Sequence, residues 1–151
     1  MSAVDDLLLF RSVDPSRRAV VARLLDDGVG AGGWRHEEPI DLWELYDAGS
    51  APAEGPVAVA ATSEPDRGQR VSLVAIVVAA PQRGRGIGIW MIQELSDALR
   101  ARGVLALAAT VPNQNGPAIA VLHRAGFRLS GIEQVGGVAR NGCTMCFHLE
   151  L

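Results

Sequence analysis

The residues whose types and spacing carry chemistry are P-Q-R-G-R-G-I-G, 81–88, set between an apolar run and an amphipathic one. Gly84, Gly86 and Gly88 remove three Cβ atoms that would hold a ligand away from the main chain. Arg83 and Arg85 add positive charge and forked N–H donors. The preceding run, V-S-L-V-A-I-V-V-A-A from Val71, reads as a strand, and I-W-M-I-Q-E-L from Ile89 reads as helix. A glycine-rich turn entering a helix presents N–H groups that the helix itself cannot use, and the helix dipole adds partial positive charge. Both favour an anion, above all a phosphate. The turn reads as a pyrophosphate cradle.

Two common phosphate motifs do not fit it. The glycines are spaced G-x-G-x-G rather than G-x-G-x-x-G, and no acidic ribose partner follows at the right distance. A P-loop ends in G-K-[ST], and this chain contains no lysine. What remains is R-G-x-G-I-G, opened by Arg83, after a strand rich in Val and Ile. That string resembles the acetyl-CoA motif of the GNAT superfamily of N-acetyltransferases. Downstream, N-Q-N-G-P-A-I-A-V-L-H-R-A-G-F-R is similar to the family's N-x-x-A-x-x-x-Y-x-x-x-G-F segment, with Asn115, Ala118, Gly126 and Phe127 in register. Leu122 stands at the tyrosine position. The resemblance covers residues 56–150 well and residues 1–55 in general layout.

The elements that must position these residues follow from pattern. Leu7–Ser12 reads as a first strand, and Asp14 with Pro15 opens a helix that Gly28 ends. Gly28–Pro39 reads as a mobile glycine-rich loop. In I-D-L-W-E-L-Y-D, Ile40, Trp43 and Tyr46 keep helical spacing, while the aromatic content and the following turn suit a strand. The layout implied by the resemblance favours the strand. Val57–Thr62 and Val71–Ala79 are nearly all apolar, as strands covered on both faces are. A helix from Gly86 to Arg102 puts Ile87, Met91, Leu95 and Leu99 on one face, and Gly103 stops it. Val104–Val111 is then a strand parallel to Val71–Ala79, because a helix crosses between them. Asn115 caps a helix that ends at Gly126, and Phe127–Gln134 with Cys143–Leu149 forms a hairpin. The expected fold class is α/β (α+β): one GNAT-like domain over residues 1–151. Its sheet is mixed and mostly antiparallel, with a central parallel pair splayed to hold acyl-CoA and about four flanking helices.

Composition narrows the partners. With 151 residues, 48% of them hydrophobic and 21% charged, the chain describes an ordinary globule. Val71–Ala80 is too short to span a bilayer, and M-S-A-V-D-D is not a signal-peptide opening, so a cytoplasmic protein without a membrane partner is expected. A formal charge of −3 argues against a nucleic-acid partner. All 14 basic residues are arginine. Cys143 and Cys146 form a C-x-x-C on a predicted strand, where residues three apart face opposite sides, which favours a structural role over a redox pair or half a zinc site. H-E-E-P-I is not H-E-x-x-H, so no metal is inferred. The C-terminal strands could pair between subunits in a homodimer.

The resemblance implies acetyl-CoA as acyl donor and an amine of a small molecule or peptide as acceptor. The pantetheine arm would run along Ile76, Val77 and Val78. The pyrophosphate would sit on the amides of Arg83, Gly84, Arg85, Gly86, Ile87 and Gly88. Asn115 would add a contact or serve as a helix cap alone. The implied reaction is direct attack of the amine on the thioester through a tetrahedral intermediate. Leucine at 122 cannot protonate the departing sulfur, which leaves water or a hydroxyl such as Ser130 or Thr144. Glu37, Glu38, Asp41, Glu44 and Asp47 supply the carboxylates near the expected acceptor mouth, with Tyr46 among them. Glu44 is the expected base, acting through water, with Tyr46 beside it. Because Leu122 replaces the tyrosine, a non-catalytic acyl-CoA-binding module is the alternative, ahead of a nucleotide-binding oxidoreductase.

Overall fold

The computed structural model describes residues 8–29, 40–49, 55–134 and 143–151. Glu37, Glu38, most of the loop expected at Gly28–Pro39, and the hairpin turn at 135–142 lie outside the described residues. The strands are β1 (Leu8–Ser12), β2 (Ile40–Asp47), β3 (Ala58–Ser63), β4 (Arg70–Val78), β5 (Ala106–Pro112), β6 (Arg128–Gln134) and β7 (Cys143–Glu150). Three α-helices are present among the described residues: α1 (Arg18–Val29), α2 (Ile87–Ala101) and α3 (Gly116–Arg124). Two short 3-10 turns, Pro15–Arg17 and Ala80–Gln82, account for the remaining helical backbone described.

Local chemistry explains most boundaries. Asp14 accepts a 3.1 Å bond from the Ser16 N–H, and Pro15 begins the 3-10 turn that runs into α1. The expected stop at Gly28 is passed by one residue, since helical backbone continues to Val29. The ambiguous stretch Ile40–Asp47 is a strand, paired antiparallel with both β1 and β3. Its pattern misleads because both of its faces are buried. Trp43 and Leu45 enter one apolar cluster and Leu42 the other, while Trp43 Nε1 donates to Thr62 Oγ1 at 2.9 Å.

The seven strands form one sheet in the order β1-β2-β3-β4-β5-β7-β6, and only β4 and β5 pair in parallel. Val21 and Leu25 of α1 pack on Leu42, Val59 and Val77 on one face of the sheet. On the other face, Met91, Ile92, Leu95 and Leu99 of α2 pack with Leu122 of α3 on Leu107 and Phe147. Helix α1 therefore covers β2 to β4 and leaves the same face of β5, β7 and β6 without a described helix above it.

One irregularity shapes the centre. Ala61 pairs with Ala75, but the next residue, Thr62, pairs with Leu73, so Val74 is an extra residue in β4. An extra residue bends its strand and tightens the local twist. Pairing of β4 with β5 runs only from Arg70–Ala106 to Leu73–Ala109, and it stops where the bulge begins. Beyond that point the parallel strands diverge.

Candidate functional site

The divergence makes a cavity of about 400 Å³, with Val74 to Val77 on one wall and Thr110 to Pro112 on the other. Asn115, Ala118 and Leu122 of α3 close it on the helix side. Ile76 and Val77, two of the residues expected to carry an extended ligand, are wall residues, and Val78 follows them at the end of β4. Toward β3 these residues are paired: Val78 with Ala58, Val77 with Val59 and Ile76 with Ala60. Toward β5 no strand pairs with them, and an unpaired strand edge inside a sheet is a template for an extended, amide-bearing ligand.

The glycine-rich turn lies at the mouth of this fork, between the end of β4 and the start of α2. Gly84 has φ 79° and Gly86 φ 75°, left-handed values that glycine adopts without a Cβ penalty. A Cβ built on either would meet no atom within 4 Å, so both glycines face open space. Gly88 differs, because a Cβ there would stand 3.6 Å from Val121, in ordinary contact with α3 rather than facing open space. Gly86 is the N-cap of α2, and no side chain caps this helix. The first-turn N–H groups, which have no acceptor within a helix, are therefore left for a ligand. Arg83 Nε donates to Val78 O at 3.1 Å, which ties the turn to the end of β4. Arg85 donates from Nη1 to Gln82 Oε1 at 2.9 Å. Neither arginine meets a carboxylate in these bonds, so both charges stay available to an anion. A diphosphate fits this donor set.

Asn115 lines the cavity while its Oδ1 accepts from the Ala118 N–H at 3.2 Å, so the oxygen expected near the ligand already caps α3. Leu122, 3% exposed, fills the floor where a tyrosine would have offered a proton.

Glu44 corrects the sequence-based expectation of a solvent-coupled base. It is 0% exposed. Arg17 grips it with two bonds of 2.8 Å, Nη2 to Oε1 and Nε to Oε2, and Arg11 Nε donates to Oε2 at 3.1 Å. The hydrogen bond to Glu44 is the main reason that the Arg17 guanidinium is held more basic than usual. A carboxylate held this way is committed to tying β2 to β1 and to the start of α1. Tyr46, offered as its companion, lies under Arg11, whose guanidinium carbon is 3.9 Å from the ring centroid. Both residues are on β2, separated from the fork by β3 and β4. Hydrophobic flanks concealed this pair, because a lone Glu in L-W-E-L-Y does not announce the arginines that the fold brings to it.

A second cavity, about 670 Å³, opens on the sheet face that α1 leaves uncovered. It shares Leu73, Val74, Ala109 and Thr110 with the first cavity, so the two meet through the fork. Its floor is Ser72, Thr110, Cys146 and His148, and the β3–β4 turn with Glu64 and Asp66 forms one wall. Asp66 accepts from the N–H groups of Gly68 and Arg70 at 2.8 and 3.0 Å, and the Arg70 bond is the largest cause of its lowered pKa. In the sequence, Cys146 is weighed only as half of a redox or zinc pair and His148 not as a cavity residue, although the alternation is available. In C-T-M-C-F-H-L, Met145, Phe147 and Leu149 pack toward the core with α2 and α3, so Cys146 and His148 must face the other way.

With this geometry in hand, comparison with known proteins is informative. The sequence profile of the acetyltransferase (GNAT) family matches residues 13–127. The L-methionine sulfoximine/L-methionine sulfone acetyltransferase of Pseudomonas aeruginosa is 35% identical over 63 residues, which is 41% of this chain and 37% of that protein. The streptothricin acetyltransferase of Streptomyces lavendulae is 38% identical over 82 residues, 54% of this chain and 43% of that one. The matched segments thus span less than half the length of these curated relatives. Among solved structures, the nourseothricin acetyltransferase superposes with a TM-score of 0.71 at 18% identity, covering 95% of this chain and 98% of that one. The Escherichia coli ribosomal-protein-S18-alanine N-acetyltransferase gives a TM-score of 0.75 at 19% identity, covering 95% and 93%. At these identities the likeness is one of fold.

Proposed function

This chain belongs to the acetyltransferase (GNAT) family, and from that premise we propose that it transfers an acetyl group from acetyl-CoA to a primary amine of a small molecule or peptide. The observation that carries this reading is the meeting of an unpaired strand edge and an uncapped helix start at one fork, with Val78 O of that edge engaged by Arg83 Nε. The β5-facing edge of Ile76–Val78 would accept the pantetheine arm as an added strand, and the amides of Arg83–Gly88 would take the diphosphate. Arg83 and Arg85 supply charge beside them, and Asn115 would add a contact through its side-chain amide.

The donor would enter from the helix side, and its thioester would point through the fork toward the larger cavity. The acceptor would approach there. A neutral amine attacks the carbonyl carbon, the tetrahedral intermediate collapses, the C–S bond breaks and its electron pair leaves with sulfur. Leu122 offers no proton to that sulfur, and a thiolate leaves without one more readily than an alkoxide would. The absence of one acid partner costs such a reaction roughly 10²–10⁴-fold, which slows turnover and does not forbid it.

The test is calorimetric titration with acetyl-CoA, followed by thiol release on adding amines that include L-methionine sulfone and streptothricin. Saturable binding with thiol release by at least one amine is the expected outcome. Binding with no release from a broad amine panel would instead fit the donor-binding module, which Leu122 at the tyrosine position favours. No heat with either CoA or acetyl-CoA would remove both readings.

A further inference from the structure

An amine acceptor arrives at neutral pH as an ammonium ion and must lose a proton before it can attack. With Glu44 buried under two guanidinium groups, the candidates for proton acceptor among the described residues are the side chains that line the joined cavities. The fork cavity contributes no ionisable side chain. The larger one contributes Glu64, Asp66, Arg70, Cys146 and His148.

Asp66 already receives two main-chain N–H groups and the Arg70 Nε at 3.3 Å, and these bonds stabilise its ionised form and weaken it as a base. Glu64 is exposed on the same turn, at the closed end of the β4–β5 pair and away from the divergence. Cys146 sits level with Thr110, but sulfur is a weak hydrogen-bond partner and a poor anchor for water. His148 pairs in register with Ala108, and Ala108 with Ser72, one side-chain level below the point where the strands part. Ala108 is too small to block the path from His148 toward Thr110 and Val74. Neighbouring strands stand about 4.8 Å apart, which places His148 within one or two waters of the fork.

Resting on the acetyltransferase reading above, we infer that His148 is the proton acceptor for the incoming amine, acting through water held in the larger cavity. The imidazole takes a proton from the ammonium, and the freed nitrogen lone pair forms the C–N bond as the carbonyl π pair moves to oxygen. Collapse expels the thiolate, and the second proton lost from nitrogen passes to sulfur. The first proton leaves His148 for solvent through the open face. The charged groups around the ring are Arg128, paired with His148 across β6, and Glu64, Asp66 and Arg70 on the facing turn. Two cations, Arg128 and Arg70, and two carboxylates, Glu64 and Asp66, leave the site close to electrically balanced.

Two measurements test this. In protein labelled with ¹³C-histidine, acetyl-CoA should move the His148 ring signals, assigned with H148Q, and leave those of His123 on α3 in place. Movement of the amides of residues 83–88 with His148 unmoved overturns the inference and spares the donor reading. Silence at both positions overturns the two together. With L-methionine sulfone and streptothricin as probe amines, H148Q should lower kcat/KM about 100-fold at neutral pH and move its rise with pH to the titration of the amine itself, at an unchanged KM for acetyl-CoA. H123Q and C146S should keep the wild-type pH profile. An unaltered profile in H148Q, or the same shift in C146S, overturns the assignment. If neither amine is turned over, the ring signals decide.

Discussion

Two helices begin at the same fork and treat their first turns in opposite ways. Helix α3 follows β5 and is closed by its own sequence, because Asn115 Oδ1 accepts from the Ala118 N–H. Helix α2 follows β4 and begins at Gly86, which has no side chain to offer. Neither helix carries an acidic residue in its first turn. The difference is therefore one residue type at one position. A capped terminus contributes to stability, typically about 1 kcal/mol. An uncapped one keeps its donors, together with the positive end of the dipole, for something that arrives later. The contrast separates a structural helix start from one kept open for an anion.

Substitutions sharpen the contrast. The largest effect is expected from Gly86→Asp. There is room for its Cβ, and Asp is among the residues that tolerate the left-handed φ of 75° best, so the fold should survive with some strain, but a carboxylate would stand where the diphosphate is expected. Affinity for acetyl-CoA should fall at least ~100-fold, about 2.7 kcal/mol by the affinity relation, with the far-UV circular dichroism unchanged. Calorimetry that finds normal affinity would reassign the cradle.

Next comes a control remote from both helix starts, Glu44→Gln. Removing one charge of a buried pair costs about 3–5 kcal/mol when the remaining partner is stranded. Here Arg11, 40% accessible, can turn to solvent, and the Gln oxygen still accepts from Arg17, which is 14% accessible, so a loss nearer ~2 kcal/mol is expected in a urea melt. Acetyl-CoA affinity should stay within twofold, whereas a base at Glu44 would lose turnover in the same variant without losing stability.

The smallest effect is expected from Asn115→Ala. Loss of the cap should cost ~1 kcal/mol, a downward shift of roughly 2–4 °C in Tm for a chain of this size. If acetyl-CoA binding weakens by much more than that energy, Asn115 belongs to the donor site as well as to α3.

Much of this was legible in the residues themselves. Glycine spacing, the Arg83 position and the change from a strand run to a helix pattern gave the turn, and Gly84 and Gly86 take the left-handed backbone that only such residues adopt easily. Asn115 and Gly126 bracket α3 as their types require. The bulge at Val74 was not legible, because V-S-L-V-A-I-V-V holds no glycine or proline to mark it. Its cause lies in pairing with β3, a relation between distant residues. Glu44 was misread for a related reason. The carboxylate is 33 positions from Arg11 and 27 from Arg17, and no local pattern records that meeting.

The brevity of the β4–β5 ladder has a mechanical side. Past Leu73 and Ala109 no strand pairing among the described residues stitches the two halves of the sheet together, and α2 and α3 span that seam from one face. A guest bearing amides of its own would add rungs to the ladder and brace the halves against separation. The melting temperature should then climb with the guest's concentration, as for any ligand that favours the folded chain. The donor would serve as a removable strut as well as a reagent.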